Sequence, residues 1–180
     1  MKRIYRTAFL DRDGVINKLI DFNNQSRPPF AISEVELMEG VTEALDILLD
    51  LHILPVVITN QPDIARGKIS LSQVEKVNNA IGLATGIEHF YICPHDDLDN
   101  CACRKPKPGL ISAALQDLNL DHKESFLVGD RWKDIEAGQA LEIPCFYVDH
   151  SFTEIQPNQP FNRVKSLLEA VKIVKMEATN

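Results

Sequence analysis

Four short apolar runs, each closing on a polar residue, are spread along the chain: TAFLD (7–11), ILPVVITN (53–60), SFLVGD (125–130) and PCFYVD (144–149). A fifth, HFYIC (89–93), has the same make-up. Their β-branched and aromatic content suits strands covered on both faces. Pro55 belongs near a strand start, where a missing N–H matters least. Helical patterns lie between the runs. Val41, Leu45, Leu48 and Leu49 form an apolar stripe. Ser70 and Gln73 have the spacing of a capping box ahead of Val74, Val77 and Ile81. Pro108 opens a segment with Ile111, Leu115 and Leu118 on one face, as proline does at a first helical turn. Residues 131–141 read as a short helix, and 161–175 as a last one with Val164, Leu167, Leu168 and Val171 inward. Such alternation predicts an α/β fold, a doubly wound and mainly parallel sheet with helices on both faces. Its 180 residues form one domain, 1–180. In such a sheet, ligands bind beyond the carboxyl ends of the strands where the strand order switches.

Three of the runs deliver reactive groups to that edge: Asp11 then Asp13, Thr59 then Asn60, and Gly129 then Asp130. Taken singly, each has a plain structural explanation. Asp13-Gly14 is a turn signal, Thr59-Asn60 a cap, Gly129-Asp130 another turn, and Asp134 an acid favoured in a first helical turn. Together, at successive strand ends, they suit phosphoryl transfer. Residues i and i+2 of an extended segment point to one side, so Asp11 and Asp13 reach one small volume. Two carboxylates there call for a cation. Asp11 is then a nucleophile that holds phosphate as an aspartyl ester, and Asp13 the general acid and base. Asp130 supplies a further oxygen ligand for Mg²⁺. The Thr59 hydroxyl, N–H groups near Asn60 and the Lys105 ammonium face the transferring oxygens.

Charge narrows the partner. The net charge of −7 argues against nucleic acid or an anionic membrane surface. Yet segments 11–18, 59–68, 104–107 and 129–134 hold Arg12, Lys18, Arg66, Lys68, Arg104, Lys105, Lys107, Arg131 and Lys133, nearly half of the 19 Lys and Arg residues. If those segments meet, an acidic protein has a basic pocket for a small anionic metabolite. The longest apolar runs fall short of a membrane span, and the N-terminus does not read as an export signal, so a cytoplasmic monomer is expected.

Cys93, His95, Cys101 and Cys103 offer three thiolates and an imidazole in two i, i+2 pairs. That is the donor set of a closed tetrahedral Zn²⁺ site. A redox pair at Cys101 and Cys103 lacks the C-x-x-C spacing, and buried core cysteines would not sit among Asp96, Asp97, Asp99 and Asn100. The expected role is structural: the clip orders residues 93–103 and so places Arg104 and Lys105. Cys145 reads as core. His52, His89, His122 and His150 have no partner legible in sequence.

The blocks DRDGVIN, VITNQ, CRKPKPG and GDRWKDIEAG resemble the four ordered motifs of the haloacid dehalogenase (HAD) superfamily of phosphatases, across residues 7 to about 149. TNQPDIARGK and the cysteine block are similar to its heptose bisphosphate and histidinol-phosphate phosphatase branches. The resemblance implies a Rossmann-like sheet with no large cap domain and a zinc-binding loop. It implies Mg²⁺ on the Asp11 carboxylate, the Asp13 main-chain carbonyl and Asp130, with Asp134 supporting that site from behind. It sets Asn60, Gln61, Arg104 and Arg131 against substrate, and residues 18–32, with Arg27, Pro28 and Pro29, in the substrate loop. The expected reaction is hydrolysis of a small sugar phosphate, foremost the 7-phosphate of a heptose 1,7-bisphosphate, with histidinol phosphate as the rival. Two non-hydrolytic alternatives, a zinc-clipped phosphate-sensing module and a phosphoacceptor switch, leave Asp13 without a task.

Overall fold

The computed structural model describes residues 3–22, 25–151 and 155–179. Its frame is a six-stranded sheet built from β1 (Thr7–Leu10), β4 (Leu54–Asn60), β5 (His89–Cys93), β6 (Ser125–Gly129), β7 (Cys145–Val148) and β8 (Asn162–Val164). The spatial order is β5-β4-β1-β6-β7-β8, and every pairing is parallel. The chain fills one side of β1 first, then crosses to the other, so the order reverses at β1.

Each strand serves both faces. Ala8, Leu10, Val57, Phe126, Val128, Phe146 and Val148 point into one core layer. There they meet α1 (Val41–Asp50), α5 (Leu167–Thr179), and Val77 and Ile81 of α2 (Leu71–Thr85). Phe9, Val56, Ile58, Leu127, Cys145 and Tyr147 point the other way, against α3 (Gly109–Asp117) and α4 (Trp132–Gln139). This two-sided burial is why the strands read as continuous apolar runs. Pro55 pairs only with Ala8, because β5 joins β4 from Val56 onward. The Ser70–Gln73 capping box forms as predicted.

Two expectations need correction. Leu49 does not share the buried stripe of α1: it is 73% exposed, and Ala44 takes the place on the inner face. The last helix does not begin at 161. Asn162–Val164 pairs with Phe146–Val148 as β8, and α5 starts only at Leu167. The stop is local: the Ser166 hydroxyl accepts from Glu169 N at 3.2 Å, and the Glu169 carboxylate accepts from Lys165 N at 2.7 Å. The two bonds cap the helix start, with the carboxylate taking the N–H one residue ahead of Ser166. Within residues 18–32, β2 (Ile20–Phe22) and β3 (Gln25–Arg27) pair antiparallel. Residues 151–160 are polar and contain proline, as a surface loop would, and residues 152–154 of that stretch lie outside the described residues. No described helix is long and apolar enough to cross a membrane.

Candidate active site

Asp11 leaves the end of β1 with its N–H bonded to Val128 O of β6 at 2.9 Å, which fixes it at the switch in strand order. It is 8% exposed, at the floor of a cleft of about 900 Å³. Lys105 enters from the segment before α3 and is buried. Its Nζ donates to Asp11 Oδ1 at 2.7 Å and to Ile58 O at 2.8 Å, and lies 2.6 Å from Asp134 Oδ1. All three N–H donors of the ammonium are thereby used. Burial acts against its charge, but Asp11 and Asp134 outweigh burial and raise its pKa. Asp11 is pushed up to about 7, first by burial, next by the nearby Asp134 charge, against the pull of Lys105. One lysine does not balance this cluster of carboxylates.

Asp130, at the end of β6, carries the unmet need. It is 1% exposed, and neither carboxylate oxygen accepts a hydrogen bond among the described residues. Arg131 Nε stands 3.7 Å away. Burial, then the charges of Asp11 and Asp134, push the Asp130 pKa well up. Asp134 differs: one oxygen meets Lys105 and the other accepts from Arg131 N at 2.9 Å. Oxygens of Asp11, Asp130 and Asp134 lie within 4.8 Å of one another. A hard divalent cation fits this all-oxygen set, and the Asp130 oxygens, which accept no hydrogen bond among the described residues, are the ones open to it. Gly14 makes room: its φ is +89°, and a Cβ there would stand 2.1 Å from Asp130 Oδ2. Gly129 is equally constrained, since a Cβ would meet Asp134 Cβ at 2.2 Å.

Asp13 sits beside this cluster. Its carboxylate accepts from Arg12, from Asn17 Nδ2 at 2.9 Å and from Gln61 Nε2 at 2.8 Å. Gln61 is buried and also donates to Thr59 Oγ1 at 2.9 Å, so it bridges the ends of β1 and β4. Asn60 exchanges two 3.1 Å hydrogen bonds with the main chain of Lys105. That pair ties β4 to the segment carrying Arg104 and Lys105. Of the basic residues grouped by sequence, Arg66, Lys68, Arg104, Lys105, Arg131 and Lys133 line the cleft. Arg12 is wholly buried, Lys18 pairs with Glu36, and Lys107 bonds to carbonyls of Asn100 and Cys101. Arg27, Pro28 and Phe30 bring the hairpin side to the cleft, with Arg27 forked onto Glu34.

The thiolate cluster closes next to it. Cys93, His95, Cys101 and Cys103 place Sγ and Nδ1 atoms 3.3–3.7 Å apart. Tetrahedral Zn²⁺ with Zn–S near 2.3 Å has S···S edges of about 3.8 Å, so the donor set fits zinc. Burial pushes the Cys93 thiol up to about 12, a cost that a bound cation removes. Arg104 follows directly: its N–H reaches Cys101 Sγ at 3.3 Å, Nη1 donates to His95 O at 3.1 Å and Nε to Asp97 at 2.7 Å. Cys145 is buried in β7, as expected.

Sequence reasoning missed three participants: Arg12, Asn17 and His150. His150 Nε2 lies 2.7 Å from Gly14 O, a contact between residues 136 apart that no local pattern announces. Asn17 was inside the quoted DRDGVIN block and could have been singled out there.

An aspartate pair, a threonine, a lysine and a further aspartate, gathered at the carboxyl edge of a parallel sheet, define a HAD-type phosphatase. The HAD-hydrolase-like family profile matches residues 102–170. A D-glycero-alpha-D-manno-heptose-1,7-bisphosphate 7-phosphatase from Photorhabdus laumondii is 33% identical over 94% of this chain and 97% of its own. A D-glycero-beta-D-manno-heptose-1,7-bisphosphate 7-phosphatase from Pasteurella multocida is 34% identical over 77% and 78%. In fold, the chain matches the crystal structure of a D,D-heptose 1,7-bisphosphate phosphatase from B. bronchiseptica complexed with magnesium and phosphate: TM-score 0.84, 23% identity, 96% and 99% covered. The chain belongs to the HAD family of phosphatases.

Proposed function

We propose that this chain removes the 7-phosphate of D-glycero-D-manno-heptose 1,7-bisphosphate through an aspartyl-phosphate on Asp11, with Mg²⁺ in the carboxylate cluster. The observation that carries the reading is the Asp130 carboxylate, buried without a hydrogen bond beside the nucleophile at the floor of a cationic cleft. Asp11, Asp130 and the main-chain carbonyl of Asp13 hold the ion, and Asp134 stays on Lys105 and Arg131 N. When bound, Mg²⁺ offsets the carboxylate charge and draws electron density from the phosphoryl oxygens.

The chain's own residues account for the rest. An Asp11 carboxylate oxygen attacks phosphorus. The bond from phosphorus to the sugar oxygen breaks, its electron pair stays on that oxygen, and the Asp13 carboxyl supplies the proton. The Asp13 carboxylate then takes a proton from water, the water oxygen attacks phosphorus, and the bond to Asp11 breaks to release phosphate. The Lys105 charge and the Thr59 hydroxyl, which already accepts from Gln61, stabilise the transferring oxygens. Arg104 and Arg131 meet the remainder of the substrate, and Asn60 and Gln61 hold the floor of the site in register. Zinc on the four-residue clip fixes Arg104. One domain carries every group needed, and the substrate is a small phosphorylated metabolite.

The test is phosphate release with Mg²⁺ from both anomers of heptose 1,7-bisphosphate, fructose 1,6-bisphosphate and histidinol phosphate. A preference for a heptose anomer of at least about tenfold in kcat/KM is expected. Preference for histidinol phosphate would contradict the substrate and leave the chemistry standing.

A further inference from the structure

Arg12 lies between the two catalytic aspartates and is, among the described residues, the largest side chain with no solvent exposure. Burying a guanidinium is costly, and an apolar residue would fill the same space without that cost. Its single ion-pair partner among the described residues is Asp13. Nε and Nη2 donate to Asp13 Oδ1 at 3.2 and 3.1 Å, and Nη2 lies 3.0 Å from Oδ2. The far edge of the same fork is anchored: Nη1 donates to Asn78 Oδ1 of α2 at 2.7 Å, and Asn78 is itself buried. A helix from one core layer thus holds the guanidinium, and the guanidinium holds the carboxylate.

The contact pattern is specific to orientation. Arg12 touches both oxygens of Asp13, whereas Asn17 reaches only Oδ1 and Gln61 only Oδ2. Two donors of the planar guanidinium on Oδ1, with Nη2 also close to Oδ2, therefore hold the orientation of the carboxyl group. We infer that Arg12 is a positioning residue for proton transfer, setting the Asp13 carboxyl toward the leaving oxygen of the phosphate ester. The inference rests on the phosphatase reading and on Asp13 as its acid.

Leaving-group dependence separates this role from a structural one. A sugar oxygen must be protonated as it leaves, but p-nitrophenolate leaves without a proton. The ratio kcat/KM reports steps up to departure of the leaving group, so it is blind to the later hydrolysis of the aspartyl-phosphate. The experiment compares kcat/KM for heptose 1,7-bisphosphate and p-nitrophenyl phosphate in the full-length protein with Mg²⁺, alongside Arg12→Met and Arg12→Lys. Arg12→Met is expected to lose roughly 10- to 100-fold on the sugar ester, part of what general acids contribute, and no more than about threefold on the aryl ester. Arg12→Lys keeps the charge without the fork and is expected to show the same split, smaller. In the Asp13→Ala background, Arg12→Met should cost the sugar ester nothing further, because the group it positions is gone. That double variant also removes the buried ion pair entirely, so it serves if Arg12→Met alone does not fold. Equal losses on the two esters, or a further loss in the Asp13→Ala background, would overturn the inference. Absence of phosphate release from either ester in the unaltered enzyme would instead contradict the phosphatase reading, and the inference with it.

Discussion

Asp11, the proposed nucleophile, carries a charge that the fold offsets only in part. Its carboxyl is held at about 7, far above the ordinary 3.8, because it is buried beside Asp134 with one shared lysine. The sign of the consequence is fixed. A folded-state pKa raised above the unfolded value gives a contribution to stability that is full below 3.8 and lost as pH rises through about 7. Metal-free protein should lose that contribution across this window, and Mg²⁺, which needs the ionised form, should restore it. The stabilisation by Mg²⁺ in thermal melts is therefore expected to be small near pH 5 and larger near pH 8. A metal increment that does not grow with pH would contradict the assignment of Asp11 as ligand. Asp11→Asn removes nucleophile and charge together. It should lower turnover roughly 10³-fold or more, with the circular dichroism spectrum and melting transition retained. Gly14→Ala is a sharper probe of crowding, because its Cβ would stand 2.1 Å from Asp130 Oδ2. Loss of Mg²⁺ affinity with the fold kept is expected, read by metal titration of the melting temperature.

At the scale of elements, the site is a product of where strands stop. β1, β4 and β6 end side by side, and Asp11, Thr59 and Asp130 follow from that register. These were legible in sequence because buried parallel strands are continuous apolar runs, and a polar residue closing one marks the sheet's edge. The cysteine and histidine cluster was legible for a different reason: soft donors at fixed short spacings have few other uses. What stayed hidden was long-range or marginal. The Asn78–Arg12–Asp13 chain joins α2 to β1 through a polar side chain that looked like one more cation near the pocket. β8 is three residues long, too short for a periodic signal, and Val164 fitted a helical stripe as well as a strand. The Ser166 and Glu169 spacing at the true start of α5 was readable and went unread. Since the clip bonds directly to Arg104, stripping zinc should act at a distance from the carboxylates. Chelation is expected to speed amide exchange over residues 93–105 and to lower activity, while β1 and β6 stay protected. Unchanged activity with zinc demonstrably removed would contradict a positioning role for the clip.

Across the whole molecule, charge is divided by place. The chain carries a net −7, yet one cleft collects Arg27, Arg66, Lys68, Arg104, Lys105, Arg131 and Lys133 over a carboxylate floor. A substrate with two phosphates suits that distribution: one group descends to Asp11, and the other remains among the cations of the wall. The most direct test is the stoichiometry of phosphate release from heptose 1,7-bisphosphate with Mg²⁺, with the sugar product identified by NMR. One equivalent of phosphate and a heptose 1-phosphate are expected, with no release when Mg²⁺ is chelated. Release from carbon 1, release of both phosphates, or equal turnover without a divalent cation would contradict the account.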